Sequence, residues 1–404
     1  MSAADTRTGR PATIAPSTDR IVVAAGIGAF LVGGAFLADA FSFRQAILFL
    51  IGGLLGATLY HAAFGFTGGW RAFILNRRGA SIRSQMLMIA IATVVFIPLL
   101  AQGSVLGTTL TGATAPVGIS VFVGAFIFGL GMQLGGGCGS GTLFTVGGGS
   151  VRMLVTLALF IVGAVLGSLH LPWWLELPSF PAVSLGASIG VLPTIILQTG
   201  LLGAIAWATL IAERRRHGSA VSMANSNAEG MSFGARMTHG PWPLIWGAVG
   251  LAVLNILTLV LAGHPWSITF AFGLWGAKGL QAVGMDVASW PFWQWPGPSA
   301  ALSQSVLADT TSVMNFGLIL GAMIAAGLAG RYAPKMSVPL GSLLAAAIGG
   351  LLMGYGARLA FGCNIGALFS GIASGSLHGW LWFFAAFVGS IAGVRLRPRF
   401  GLDR

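Results

Sequence analysis

Ten apolar runs of near-bilayer length recur along this chain, near residues 21–38, 45–62, 86–101, 117–133, 152–169, 185–211, 243–263, 311–330, 338–356 and 378–394. A membrane-crossing helix takes roughly 17–25 largely apolar residues. Inside lipid every backbone N–H and C=O needs an internal partner, which leaves helices and closed barrels as the spanning structures. Runs this long select helices. Charge agrees: 7% of the residues are charged, against about 25% in a soluble domain. The expected fold is an all-α polytopic membrane protein.

The net charge of +12 is a topology signal rather than a nucleic-acid footprint. Of 21 Lys and Arg residues, 17 lie in the N-terminal arm, residues 71–83, 213–236 and 331–335, and the C-terminal tail, while the connections 102–116 and 171–184 hold none. Basic loops stay on the cytoplasmic side, which places both termini and these three loops inside. Residues 1–20 are polar and carry no small-residue cleavage site behind a short apolar core, so they read as a disordered cytoplasmic arm rather than a signal peptide. No P-loop and no zinc-spaced Cys/His cluster is present, so neither cofactor nor metal is expected.

The two cysteines stand in similar glycine-rich surroundings, "LGGGCGSGTLFTV" (134–146) and "LAFGCNIGALFSGI" (359–372). Laying Cys138 on Cys363 also matches Gly129 with Gly354, Gly131 with Gly356, Gly141 with Gly366 and Phe144 with Phe369. One residue out of register, Gly163 and Gly167 meet Gly389 and Gly393, a small-residue helix-packing pair in both copies. "AFGFTGG" (63–69) resembles "AFGLWGA" (271–277). The chain reads as a duplication, 21–170 and 185–394, joined by an outer connection 171–184, with a cytoplasmic loop 212–241 and a basic cytoplasmic tail 395–404. Each half has five spans, an odd number, so the second half is inverted, a recurring transporter plan. Residues 64–73, 134–150, 267–283 and 357–376 are too short and glycine-interrupted to cross. They are expected to be re-entrant or broken short helices, dipping in pairs from opposite faces into an hourglass-like path.

A free cysteine is by default a small core hydrophobe. Two at matching repeat positions, flanked by Gly137 and Gly139 in one copy and by Gly362 and Asn364 in the other, are read instead as the path lining. Glycine lets a ligand approach the backbone, and a helix starting just after each thiol would aim free N–H groups at an anion. Sulfate or phosphate would be served by arginine and amides, whereas a polarizable thiol suits an ion that presents soft sulfur, such as thiosulfate. Lys278 and Arg358 lie in the outer-side segments and are expected to attract anions, since a cation at membrane depth marks a substrate path. Arg152 reads as a cation snorkelling to the inner surface. Trp275, which aligns with Thr67, is either a wall of the path or a packing residue, and "WPFWQWP" (290–296) reads as an interfacial aromatic belt.

"GLGMQLGGGCGSGTLF" and "GYGARLAFGCNIGALFSGIASGSLHGW" resemble the paired cysteine motifs of the YeeE/YedE family of sulfur-transport membrane proteins, and "AFGFTGGWRAF" (63–73) and "GHPWSITFAFGLWGAKGL" (263–280) resemble its other two segments. The likeness covers most of residues 45–394. It implies a non-enzymatic transporter in the bacterial inner membrane that takes up thiosulfate, passing it between cysteines along a narrow path. It also implies partnership with a small cytosolic sulfur carrier of the TusA type. Members often carry a third cysteine in the earliest motif, where this chain has Thr67. Another sulfur or selenium species is therefore an alternative substrate, and a membrane sulfurtransferase working through cysteine persulfides is the alternative function.

Overall fold

The computed structural model describes residues 18–224, 231–334 and 336–403. The expected disordered arm thus lies, up to residue 17, outside the described residues. The first half of the chain runs α1 (Arg20–Ala40), α2 (Phe43–His61), α3 (Phe66–Asn76), α4 (Ala80–Gln102), a hairpin of β1 (Ser104–Val105) and β2 (Thr108–Thr109), β3 (Val117–Gly118), α5 (Ile119–Gly135), α6 (Gly139–Gly147) and α7 (Val151–Leu175). After β4 (Ser179–Phe180) come α8 (Leu185–Ile189), α9 (Val191–His217), α10 (Phe233–His239), α11 (Leu244–Ala262), α12 (Thr269–Ala282), α13 (Pro291–Gln294), α14 (Pro296–Ser303), α15 (Thr310–Leu328) and α16 (Leu340–Leu359). A π-helical turn (Asn364–Phe369) then leads into α17 (Ser370–Ala373) and α18 (Leu377–Leu396).

Among the described residues, ten helices are long and apolar enough to cross a membrane, and they coincide with the ten apolar runs. The molecule is an all-α polytopic membrane protein. Side-chain oxygens cap several of these helices where the sequence offers them: Asp19 accepts from Val22 N, Ser42 from Gln45 N and Asp309 from Ser312 N. Boundaries differ in detail. α7 absorbs the first residues of the expected 171–184 connection, and the remainder carries β4, which pairs with β3. α9 begins at Val191 because Gly190, at φ +89°, separates it from α8.

Packing follows a swapped pattern. α2 lies against α15 as α11 lies against α4; α7 lies against α16 as α18 lies against α5. The glycines show it residue by residue. A methyl group on Gly163 of α7 would strike the Leu351 carbonyl, and one on Gly389 of α18 would strike the Phe126 carbonyl. Leu351 and Phe126 are themselves equivalent when Cys138 is laid on Cys363. Such exchange of partners is what a two-fold relation between halves produces. In lipid, where burial of apolar surface drives little helix association, this backbone-to-backbone contact supplies the packing.

Four helices are interrupted where the sequence predicted broken segments. The chain turns at Ala63 (φ +45°) between α2 and α3, at Gly136 (φ +89°) between α5 and α6, at Gly263 (φ +79°) between α11 and α12, and at Phe361 (φ +57°) after α16. Part of the expected aromatic belt at 290–296 is folded inward: Phe292 and Trp293 are buried, Trp293 Nε1 donating to Ser168 Oγ at 3.2 Å, while Trp295 stays exposed.

Candidate functional site

Each cysteine stands at the start of a short helical segment. Cys138 is the N-cap of α6; its Sγ accepts from Gly141 N at 3.4 Å and lies 3.4 Å from Ser140 Oγ. Cys363 precedes the π-helical turn, and its Sγ accepts from Ile365 N at 3.4 Å. Both thiols are free and buried. The two segments meet: a methyl group on Gly139 would sit 3.0 Å from Cys363 Sγ and 3.4 Å from Ile268 Cγ2. A side chain here would crowd the second thiol, and glycine lets the first segment come this close to it. Gly137 is tightly wrapped too, its absent methyl facing Met153 Cε at 2.8 Å. Gly362, at φ +150°, takes a backbone conformation that L side chains rarely adopt, and its carbonyl accepts from Trp382 Nε1 at 3.1 Å.

Beside Cys363 opens a cavity of about 230 Å³ lined by Ser267, Thr269, Phe270, Phe292, Arg358 and Gly362, among others. Arg358 lies with its guanidinium carbon 4.6 Å from the Phe292 ring centre and 5.8 Å from that of Phe270. The rings attract the cation through their quadrupoles but accept no full hydrogen bond, and Arg358 Nε and Nη2 are buried without a partner. A methyl group on Gly273 would collide with Nη2, so that end of the guanidinium abuts this backbone. Asn364, fully buried next to Cys363, leaves both Nδ2 and Oδ1 unpartnered. An unmet buried polar atom costs about 1–3 kcal/mol, more when charged, and these atoms stand uncompensated beside Cys363.

Thr67 sits in the first turn of α3, 3% exposed, with Oγ1 buried and unpartnered. Its carbonyl accepts from Gln133 Nε2 at 3.2 Å. A methyl group on Gly65 or on Gly68 would meet nothing within 4 Å, so the start of α3 borders open space. Gln133 went unnoticed in the sequence, yet the register that pairs the cysteines also pairs it with Arg358. That coincidence was the signal that could have found it.

Buried amides hold the broken helices in place. Asn255 Oδ1 accepts from Trp266 N at 2.7 Å, Ser370 Oγ donates to Trp266 O at 2.8 Å, and Asn315 Nδ2 donates to Ile268 O at 3.0 Å. On the opposite side Trp70 Nε1 donates to Gln85 Oε1 at 2.9 Å. Two expected path residues do not border the Arg358 cavity. Lys278 Nζ donates to the carbonyls of Leu302 at 2.8 Å and Gln304 at 2.5 Å, capping the end of α14 rather than lining the Arg358 cavity. Trp275 stacks on Phe316 at 5.0 Å and donates to Ser312 Oγ at 2.9 Å, which in turn donates to Asp309 Oδ2 at 2.6 Å.

A family model described as Sulphur transport matches residues 61–392. The thiosulfate transporter TsuA of Spirochaeta thermophila is 28% identical over 349 residues, 82% of this chain and 92% of that protein. TsuA of Escherichia coli K12 is 26% identical over 345 residues, 82% of this chain and 88% of its own length. The probable transporter YedE of Escherichia coli K12 is 32% identical over 154 residues, so the match spans 38% of this chain and 37% of that relative. The resemblance carried by the two cysteine motifs is thereby borne out, and the chain belongs to the sulphur transport family.

Proposed function

We propose that this protein is a multi-pass inner-membrane transporter, with both termini cytoplasmic, that takes up thiosulfate by passing it between two thiols. The carrying observation is the central meeting point, where Gly139 of the Cys138 segment lies against Cys363 Sγ. The ion enters past Arg358 and Asn364, its oxygens meeting the unpartnered N–H groups and its sulfane sulfur meeting Cys363. It crosses to Cys138 and leaves past Thr67. The thiols act through S–H···S contacts with no net covalent change. The two halves, 21–170 and 185–394, serve as inverted repeats framing the path. The TsuA relatives named as thiosulfate transporters support the substrate. A cytosolic TusA-like sulfur carrier receives the product side of this traffic.

The experiment is uptake of labelled thiosulfate into proteoliposomes by the wild type, Cys138→Ala and Cys363→Ala, each checked for an intact melting transition. Both substitutions are expected to remove most uptake. Wild-type rates in both would end the relay. Attack of a thiolate on the sulfane sulfur would instead leave a cysteine persulfide and release sulfite. Sulfite appearing while intact thiosulfate never reaches the lumen would replace transport by sulfurtransferase chemistry.

A further inference from the structure

Three arginines that the sequence scatters over separate segments converge behind Thr67. Arg152 caps the end of α5, Nη1 donating to Gly135 O at 2.6 Å, Nη2 to Leu134 O at 2.7 Å and Nε to Ser342 Oγ at 2.8 Å. Expected to snorkel to the inner surface, it is held by the negative end of a helix. Arg397, from the C-terminal end of the chain and 8% exposed, donates through Nη1 to the preceding carbonyl, Gln133 O, at 2.7 Å and through Nε to Asp403 O at 2.7 Å. Three consecutive carbonyls therefore hold two guanidinium groups side by side. Each guanidinium has five N–H donors, so neither is exhausted by these bonds.

The third is Arg71. It follows Thr67 by four residues on α3, which puts both on one face of the helix. It makes no hydrogen bond or ion pair with any described residue, and it lies close enough to Arg152 and Arg397 to repel both. Among the described residues, Asp403 is the one carboxylate in electrostatic reach of Arg397. Three like charges against one carboxylate repel one another unless a further anion joins them. The independent sign of a ligand is Thr67 itself, 97% withdrawn from solvent by its 3% exposure, with Oγ1 unpartnered.

We infer that Arg71, with Thr67 and the unspent donors of Arg152 and Arg397, forms a separate site for a small divalent oxyanion. The site rests on the transport reading for its role, the release point of the ion, but not for its existence. Its chemistry differs from that of the centre. Guanidinium and hydroxyl groups read oxygens, and no thiol is present, so sulfate fits as well as thiosulfate. The burial of Arg397 and the recessed Thr67 favour a small ion over an acidic protein surface.

The test is isothermal titration of sodium sulfate, and separately of sodium thiosulfate, into the purified full chain carrying Arg358→Gln, which silences the Cys363 side. That protein is compared with Arg358→Gln/Arg71→Gln and Arg358→Gln/Arg71→Lys, at constant ionic strength and with melting curves as a folding control. Both salts are expected to bind the single variant. The glutamine double variant should bind about tenfold more weakly, as for loss of one charge-assisted contact, and the lysine variant should recover most of that loss. No sulfate binding in the single variant, or equal affinity in the glutamine double variant, would overturn the site. Thiosulfate binding without sulfate binding would overturn it too, by showing that sulfur is being read. Uptake of labelled thiosulfate by the wild type is scored independently. Its absence with sulfate binding intact removes the transport role and leaves the site standing.

Discussion

The two cysteine segments share a frame and differ in what they leave unpaired. Cys138 Sγ has a hydroxyl and an amide beside it and begins a regular α-helix. Cys363 Sγ has one amide, begins a π-helical turn, and stands between Arg358 and Asn364, whose polar atoms lack partners. At the matching positions the first copy has Gln133, tied to the Thr67 carbonyl, and Gly139. The two segments thus share helix breaks and glycine contacts while their polar groups differ. Both surroundings keep unmet polar atoms at a cost to stability: Arg358 and Asn364 beside Cys363, and Thr67 Oγ1 and Gln133 Oε1 on the other side. They differ in charge, the cation near Cys363 being Arg358 itself while Gln133 has an arginine brought to it from elsewhere in the chain.

The largest effect is expected from filling the meeting point. Gly139→Ala puts a methyl group 3.0 Å from Cys363 Sγ, whereas Gly141→Ala puts one at an ordinary 3.4 Å from Cys138 Sγ. Overpacking of about 1–3 kcal/mol at the constriction predicts a roughly tenfold to hundredfold loss of uptake for the first. The second should stay near wild type; equal losses would mean that the glycines serve the fold alone. A smaller effect is expected from Arg358→Gln. The half-saturating thiosulfate concentration should rise about tenfold, the ~1.4 kcal/mol of one charge-assisted contact. The melting temperature should hold or rise, because a buried cation with unmet donors is removed. A lowered melting temperature with unchanged half-saturation would make Arg358 a structural cation. Smallest is Thr67→Cys, which adds a third thiol on the other side. A gain of about twofold in uptake corresponds to ~0.5 kcal/mol; a loss would show that the hydroxyl itself is needed there.

Much of the fold was legible because its causes are local. Apolar length set the ten helices, and basic residues set the expected topology. Glycine at Gly136 and Gly263 marked two of the breaks, where φ is positive. The other two turn at Ala63 and Phe361, non-glycine residues in the same backbone region, and these no local rule would have located. Cys138, Cys363, Asn364 and Arg358 were legible as candidates through the repeat. Their surroundings were not, because Phe292 reaches Arg358 from a distant aromatic stretch that composition assigns to the lipid interface. Arg71, Arg152 and Arg397 illustrate the same limit. Each looks like an ordinary inward-facing cation in its own segment, and only the packing of α3, α5, α7 and α18 makes them neighbours.

The exchange of helix partners between halves has a consequence for how the protein is made. While α2 and α5 are being inserted, α15 and α18, the helices whose glycine-faced backbones they require, have not yet been synthesised. The early half must therefore wait in the bilayer with its small-residue grooves open to lipid, and these helix pairs can close only late in synthesis.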